Sequence, residues 1–504
     1  MFYLWVVIVY TAILFVVGIT KTRSIKSQDD FMVAGRKTPT YLLVGTLICT
    51  WIGSGSLFGG AGLAFRMGFS EMWMSAGAWL GIVIVYFLAA RVRAIAQYTM
   101  SDILEKRYNA AARVLGSLTV IIAYLTIAGY QFKGGGRLLN TITDIDPKQG
   151  ALITCAATIG FTLLAGMMSI IQVDLINGIM MLLGVIVGIP LALSAVGGWD
   201  QVRTLPADHF AVFGQNDAVW AMGVFLPTFF LLLGESSMYQ KFYAARDERS
   251  AKRAVVGFVI GVVILEGLLA MIAIIGSSKY FTHPEFQNPD GTFVKAKTET
   301  IILYLAANDF PRWAGAIIMA AAVAIILSTA NTFLMVVSTN ITRDFYQRFF
   351  NPKASQKNII LVQRVLIVLL GVLALYVATQ REDILGMAFT AYAIIGAGLT
   401  PALLASFLWR RATVAGGVAS IVAGMGSTVG ITCINIYLEK HDKPALLEAD
   451  YIILPAALAS ILCLVVVSLL TKPPSEDKWK PFWQARGGGQ GGSPGIPLPP
   501  ADPR

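Results

Sequence analysis

Apolar runs long enough to make a membrane-crossing helix recur along this chain from its first residues to Thr471. A bilayer's hydrocarbon layer is about 30 Å thick and takes roughly 20 residues of helix to cross. Within it every backbone N–H and C=O must find a partner inside the protein, which restricts spanning segments to helices or closed barrels. Continuous apolar runs select helices. Thirteen are expected, near 2–20, 40–65, 70–96, 112–140, 150–169, 173–196, 219–239, 252–277, 312–340, 359–379, 384–409, 413–437 and 451–471. With 56% hydrophobic and 13% charged residues among 504, and a mean hydropathy of +0.68, composition excludes a soluble globular protein. The first run lacks the charged stem and small-residue cleavage site of a removable signal peptide and is read as a span.

Charge then reports topology. A net charge of +10 in a soluble protein would suggest nucleic acid, but 27 of the 39 basic residues fall in alternate loops and the C-terminal tail, in the stretches 21–37, 91–113, 241–253, 343–364, 410–411 and 472–504. With an odd number of spans this bias places the N-terminus outside, the C-terminus in the cytoplasm and the loop 277–311 outside. No nucleic-acid partner is expected. The four cysteines, Cys49, Cys155, Cys433 and Cys463, fall inside expected spans without the spacing of a disulfide framework or a zinc site. The tail from Lys472 turns to Pro, Gly and Ser and is expected to be disordered.

Three segments break the apolar pattern. Arg312–Asn340 carries Ser328, Thr329, Asn331 and Thr332 in its middle. Hydroxyls at that depth are costly unless satisfied, either by bonding back to the carbonyl one turn earlier at a helix interface or by binding an ion. The second run, TPTYLLVGTLICTWIGSGSLFGGAGLAF, holds Gly53, Gly55, Gly59, Gly60 and Gly62, which points to a helix break near Ile52–Ser56 or to close packing at a small-xxx-small pair, Gly55 and Gly59. Its G-x-G spacing follows a membrane helix and not a strand, so it is no dinucleotide fingerprint. The seventh run, LPTFFLLLGESSMYQKF, has the same character at Gly234 to Ser237. Interrupted helices in corresponding places are the mark of inverted-repeat transporters, whose unwound carbonyls are available to a cation.

That reading divides the chain into 1–39, a first helix and cytoplasmic loop; 40–198 and 199–411, two inverted five-helix repeats; 412–471, two further spans; and 472–504, the tail.

Several separate segments resemble the sodium:solute symporter family. They are CTWIGSGSLFGG in the second span, YTMSDILEKRYN between the third and fourth, YQKFYAARDERSAKRA after the seventh, AIILSTANTFLMVVSTNITRDFY in the ninth, and GAGLTPALLASFLWRRATVAGGVAS at the eleven-to-twelve junction. The resemblance spans roughly residues 1–440. It implies an all-α membrane protein with a LeuT-like core of two inverted five-helix repeats, and one coupling sodium ion. Carried over by position, the sodium ligands are the backbone carbonyls of Cys49, Ile52 and Ile325 with the side-chain oxygens of Ser328 and Thr329. Neutral hard oxygens suit a weakly charged hard cation and permit its release.

Asp174, in GMMSIIQVDLINGIMM, matches the family's acidic residue on the sodium exit path, although Val173 and Asn177 stand where the family more often has threonine and glutamine. An ordinary helix cap is the other reading. Family members with a second sodium use a serine one turn before the hydroxyl pair; Ile325 stands there, so one sodium is expected.

Candidates to line a solute cavity are Trp51, Ser54 and Ser56, Gln131 and Lys133, and Glu235, Ser236 and Tyr239, a mixture suited to a small polar organic solute: an amino acid, carboxylate, sugar, vitamin or quaternary amine. Lys133 either snorkels to the interface or attracts a carboxylate. Glu235 either holds an ammonium, pairs with a nearby cation or stays protonated. The expected function is sodium-coupled uptake across the plasma membrane by alternating access, with no obligate protein partner; proton coupling on the same fold and a transporter-like sensor are the alternatives. No metalloprotease motif or Ser/His arrangement supports an enzyme, and His209, His283 and His441 all lie in loops.

Overall fold

The computed structural model describes residues 1–22, 28–95, 98–164 and 166–484. Arg23, Lys26 and the glycine- and proline-rich end of the tail lie outside them. Among the described residues there is no strand beyond two isolated bridges.

The helices are α1 (Phe2–Thr22), α2 in two pieces (Thr40–Trp51, then Gly55–Gly60 running into Ala61–Met67), α3 (Met72–Ile95), α4 (Ala110–Thr143), α5 (Pro147–Leu164) and α6 (Met167–Val196). Next come α7 in two pieces (Ala218–Leu233 and Ser236–Ala244), α8 (Glu248–Tyr280), α9 (Arg312–Asn340) and α10 (Gln356–Ala378). The chain closes with α11 (Ile384–Gly398 with Thr400–Leu408), α12 (Val414–Glu439), α13 (Ile453–Leu470) and a short α14 (Glu476–Gln484). Eleven segments among the described residues are long and apolar enough to cross a membrane. The first piece of α2 falls short at 12 residues because the break cuts it, and α5 opens on a polar Pro-Lys-Gln-Gly turn.

Burial sorts the bundle into an inner and an outer set. The most apolar stretch of α9 is 94% buried and that of α11 is 89%, against 22% for α1 and 28% for α12. Small residues make this depth attainable, because alanine and glycine let backbones approach. Where α6 crosses α9, a Cβ on Gly184 would lie 2.8 Å from the Ala321 methyl. That close crossing brings α6 against the hydroxyls of α9. Between α2 and α3 the chain turns at Gly68, whose φ of +62° and crowding against His209 both require glycine.

Two motifs quoted for the family resemblance meet at the end of the bundle where α4 begins. Thr99 Oγ1 donates to Asp344 Oδ1 (3.0 Å), and Arg113 Nη2 reaches the same oxygen at 2.8 Å while also pairing with Asp102 and Glu105. Each buried charge there is partnered, which a low-dielectric environment demands.

Two expectations are corrected. The sixth helix begins at Met167, capped by Gly166, so Asp174 lies two turns inside it and is no N-cap. The tail is not without order from Lys472. α14 seats the buried Phe482 edge-on against Phe407, and Arg410 lies over the rings of Trp479 and Trp483, because these aromatics supply the apolar surface that the rest of the tail lacks.

Candidate ion and solute site

The first piece of α2 stops at Trp51 because Ile52 leaves helical geometry, with ψ at 99°. Regular bonding resumes when Ser56 N and Leu57 N donate to Gly53 O. Helix ends leave carbonyls without intrahelical donors, and here two of them meet the hydroxyls of α9. Thr329 Oγ1 stands 3.1 Å from both Cys49 O and Ile52 O, and Ser328 Oγ stands 3.3 Å from Cys49 O. Gly53 allows this approach, since a Cβ there would meet Gln131 Nε2 at 2.8 Å and Thr329 Cγ2 at 3.0 Å. Ile325, one turn earlier on α9, lines an apolar cavity shared with Ile52 and Met181, and its side chain offers no oxygen to a cation. Asn331 accepts from Thr162 Oγ1 (3.0 Å), and Thr332 Oγ1 lies 3.5 Å from Thr50 Oγ1; both hold helices together.

Asp174 stands beside this cluster, fully buried. Its carboxylate accepts from Ser328 Oγ and from Thr46 Oγ1, and its backbone carbonyl accepts from Cys49 Sγ at 3.0 Å. Facing it is Lys241, on the second piece of α7. Lys241 Nζ lies 3.7 Å from Asp174 Oδ2, donates to Thr46 O at 2.8 Å and also to Thr50 Oγ1. Lys241 is 0% exposed, which corrects its assignment to a basic loop. The signal in the sequence was the apolar run Phe242–Ala245 beyond it, which carries the buried segment past the lysine.

The second break, at Gly234 and Glu235, is filled differently. Glu235 caps the following piece of α7: its Oε1 accepts from Ser237 N (3.3 Å), from Ser237 Oγ (2.8 Å) and from the Tyr124 hydroxyl of α4. Its Oε2 is buried without a partner. Tyr239 spans the break by donating its hydroxyl to Leu233 O at 2.9 Å.

Between the breaks lies a tight cavity of ≈ 20 Å³. Of the expected solute residues, Trp51 and Glu235 line it, joined by Tyr130, Phe258, Phe333 and Tyr392, which were not anticipated. The others stand elsewhere. Gln131 Oε1 accepts from Ser54 N (2.8 Å) and so braces the first break; Ser56 Oγ lies 3.4 Å from Glu266 Oε1; the Ser236 hydroxyl is buried in the second break. Lys133 is half-exposed among the charges of Arg137, Glu382 and Asp383, and it is not among the cavity's lining residues. Aromatic residues were missed because a ring in an apolar run reads as ordinary core.

Two broken helices, each stabilised by side chains from a neighbouring helix around one central cavity, are the architecture of a membrane transporter of the LeuT fold. Solved structures agree on the fold: a substrate-bound, outward-open Na+-coupled sialic acid symporter superposes with a TM-score of 0.78 at 16% identity, covering 94% of this chain and 98% of that one. Mhp1, a nucleobase-cation-symport-1 family transporter, superposes at 0.53 with 11% identity, covering 90% and 97%. The chain belongs to the sodium:solute symporter family, whose model matches residues 31–424. Relatives include the sodium/proline symporter of Escherichia coli K12, 26% identical over 95% of each chain, and the osmoregulated proline transporter OpuE of Bacillus subtilis, 23% identical over 94% of this chain and 96% of that one. The protein is an integral, multi-pass membrane protein of a family of transporters.

Proposed function

We propose that this protein couples the entry of sodium to the import of a small amine-bearing solute across the plasma membrane. The observation that carries the reading is the meeting of Thr329 Oγ1 and Ser328 Oγ with the carbonyls freed at the break in α2. In this reading Cys49 O, Ile52 O, Ile325 O and the two hydroxyls hold the sodium ion. All five are neutral and hard, the donor chemistry that suits this ion and lets it leave again. Asp174 stands on the cytoplasmic exit path. The chain crosses the membrane thirteen times with its N-terminus outside, and α2–α6 and α7–α11 form the two inverted repeats.

The solute class follows from the cavity. Its one carboxylate, Glu235, has a buried oxygen without a donor, surrounded by aromatic faces, which is the chemistry that receives an ammonium or a substituted amine. Lys133 does not line the cavity, so nothing there favours a solute that is only an anion. The relatives named as proline symporters support an amino or imino acid as the first solute to test. A single charge moving through 100 mV supplies about 2.3 kcal/mol before any concentration term. Because coupling is reciprocal, sodium and solute each tighten the binding of the other.

The test is uptake into proteoliposomes of purified protein under an inward sodium gradient, with labelled proline, other amino acids and quaternary amines. The expected result is accumulation of an amine-bearing solute that stops when potassium replaces sodium. Equal uptake in potassium, or accumulation of sugars or simple carboxylates alone, overturns the reading.

A further inference from the structure

Trp51 lines the solute cavity with its ring and sends its indole N–H out of it, to a carboxylate that sodium binding at Ser328 and Thr329 does not use. That carboxylate is Glu266, in the middle of α8. It is held by three neutral donors, Trp51 Nε1 at 2.8 Å, Trp79 Nε1 at 2.9 Å and Ser56 Oγ at 3.4 Å. A second carboxylate, Glu71 just ahead of α3, lines the same small cavity of ≈ 10 Å³ along with Ser56 and Ser75. Both acids are more than nine-tenths buried.

Their surroundings differ in one respect. Glu71 Oε1 receives only the Ser75 hydroxyl, at 3.3 Å, and Glu71 Oε2 is buried with no partner at all. No lysine, arginine or histidine is among the residues lining this cavity. A buried carboxylate oxygen that no donor satisfies is strongly unfavourable, so a positive charge belongs beside it. A proton requires no space, whereas the cavity, at ≈ 10 Å³, has room for one particle about the size of a water or a bare monovalent ion. Carboxylate and hydroxyl oxygens are ligands for hard cations, and the two indole donors already take up part of the charge of Glu266, which leaves a site suited to a monovalent ion.

We propose that Glu71 and Glu266, with the hydroxyls of Ser56 and Ser75, form a second sodium site, separate from the oxygens of Ser328 and Thr329. Trp51 connects it to transport: the ion fixes Glu266, Glu266 fixes the indole, and the indole shapes one wall of the solute cavity. The role of Trp51 rests on the solute cavity proposed above; the ion site itself does not.

The test follows thermal stability of the purified full-length protein as sodium replaces N-methylglucamine at constant ionic strength and pH. The expected result is a sodium-dependent rise in melting temperature that survives in the Ser328→Ala/Thr329→Ala variant and disappears when Glu71→Gln is added to it. Ser75→Ala, which leaves both acids in place, is expected to shift the remaining response to higher sodium, and this keeps the test decisive if Glu71→Gln does not fold. A residual response that Glu71→Gln and Ser75→Ala leave unchanged overturns the site. So does a wild-type protein stabilised by acid to the same extent without sodium, which assigns a proton to Glu71. Complete loss of the response in Ser328→Ala/Thr329→Ala alone overturns this site while supporting the first one. A response abolished by Glu71→Gln alone overturns the first and supports this one.

Discussion

The break in α2 at Ile52 and Gly53 and the break in α7 at Gly234 and Glu235 interrupt corresponding helices of the two proposed repeats, yet each is completed by opposite chemistry. In α2 the freed groups are carbonyls, and hydroxyls of α9, third helix of the other repeat, come to meet them. In α7 the freed groups are N–H donors, and the chain supplies its own carboxylate, Glu235, which Tyr124 of α4, again third in the other repeat, helps to hold. One break therefore gathers neutral oxygens and the other fixes a negative charge against the cavity. Under the proposed function a pair of similar hinges separates two tasks, the first assigned to the small ion and the second to the amine of the solute. Lys241 joins them, since it rides on α7 and binds Thr46 O of α2 beside Asp174 of α6.

The largest effect is expected where the two breaks are tied together. Lys241→Met leaves Asp174 buried without its ammonium, and breaking a buried pair from one side costs about 3–5 kcal/mol. The melting temperature should fall sharply, and Lys241→Met/Asp174→Asn should recover part of the loss; a single variant as stable as the wild type would remove Lys241 as the link. Next is Ser328→Ala/Thr329→Ala, aimed at the first break alone. With about 1.4 kcal/mol for each oxygen removed, the sodium concentration for half-maximal uptake should rise roughly a hundredfold. The solute KM at saturating sodium should change far less. Glu235→Gln addresses the second break. It keeps the shape and the bond from Tyr124 but removes the charge, and the solute KM should rise about tenfold while the sodium requirement holds. If sodium and solute requirements move together in both variants, the division of labour between the breaks is wrong.

Much of this was legible in the sequence. The runs gave the helices to within a few residues, and glycine clusters located both breaks at the residues where helical geometry is lost. Ser328 and Thr329 stood out because hydroxyls in the centre of an apolar run need an explanation. What stayed hidden was direction. α9 is buried on nearly every side, so it has no polar face to reveal which neighbour each side chain meets. Lys241 opens the basic stretch that runs to Arg253 and so reads as a loop charge, and only the packing of α2, α6 and α7 shows that it points inward. Ser54, Ser56 and Gln131 were placed in the cavity for their chemistry, whereas they support the break and the Glu266 cluster beside it. The aromatics of α14 were concealed by the change of composition at Lys472, although Trp479, Phe482 and Trp483 are too apolar for a solvated tail.

The smallest effect separates the two breaks at their glycines. Neither Gly53 nor Gly234 has a positive φ, so alanine is not excluded by backbone geometry at either place and the cost comes from space alone. At Gly53 the added methyl would press on Gln131 Nε2 at 2.8 Å and on Thr329 Oγ1 at 3.2 Å, both beside the proposed ion site. At Gly234 it would press on Thr400, whose hydroxyl donates to Phe230 O at 2.7 Å and lies away from the ion, and on Ile395 Cγ2 at 3.1 Å. At Gly53 the contacts fall on the ends of side chains that can shift, near the lower end of the overpacking range at about 1 kcal/mol, whereas at Gly234 the methyl would overlap the Thr400 hydroxyl and break its bond to Phe230 O, which costs more. Gly234→Ala should therefore melt at the lower temperature of the two. Only Gly53→Ala should need several times more sodium for uptake, because it alone displaces a hydroxyl of the proposed sodium site. An equal rise for Gly234→Ala would mean that the second break also shapes the ion site, and the contrast between the two hinges would have to be drawn elsewhere.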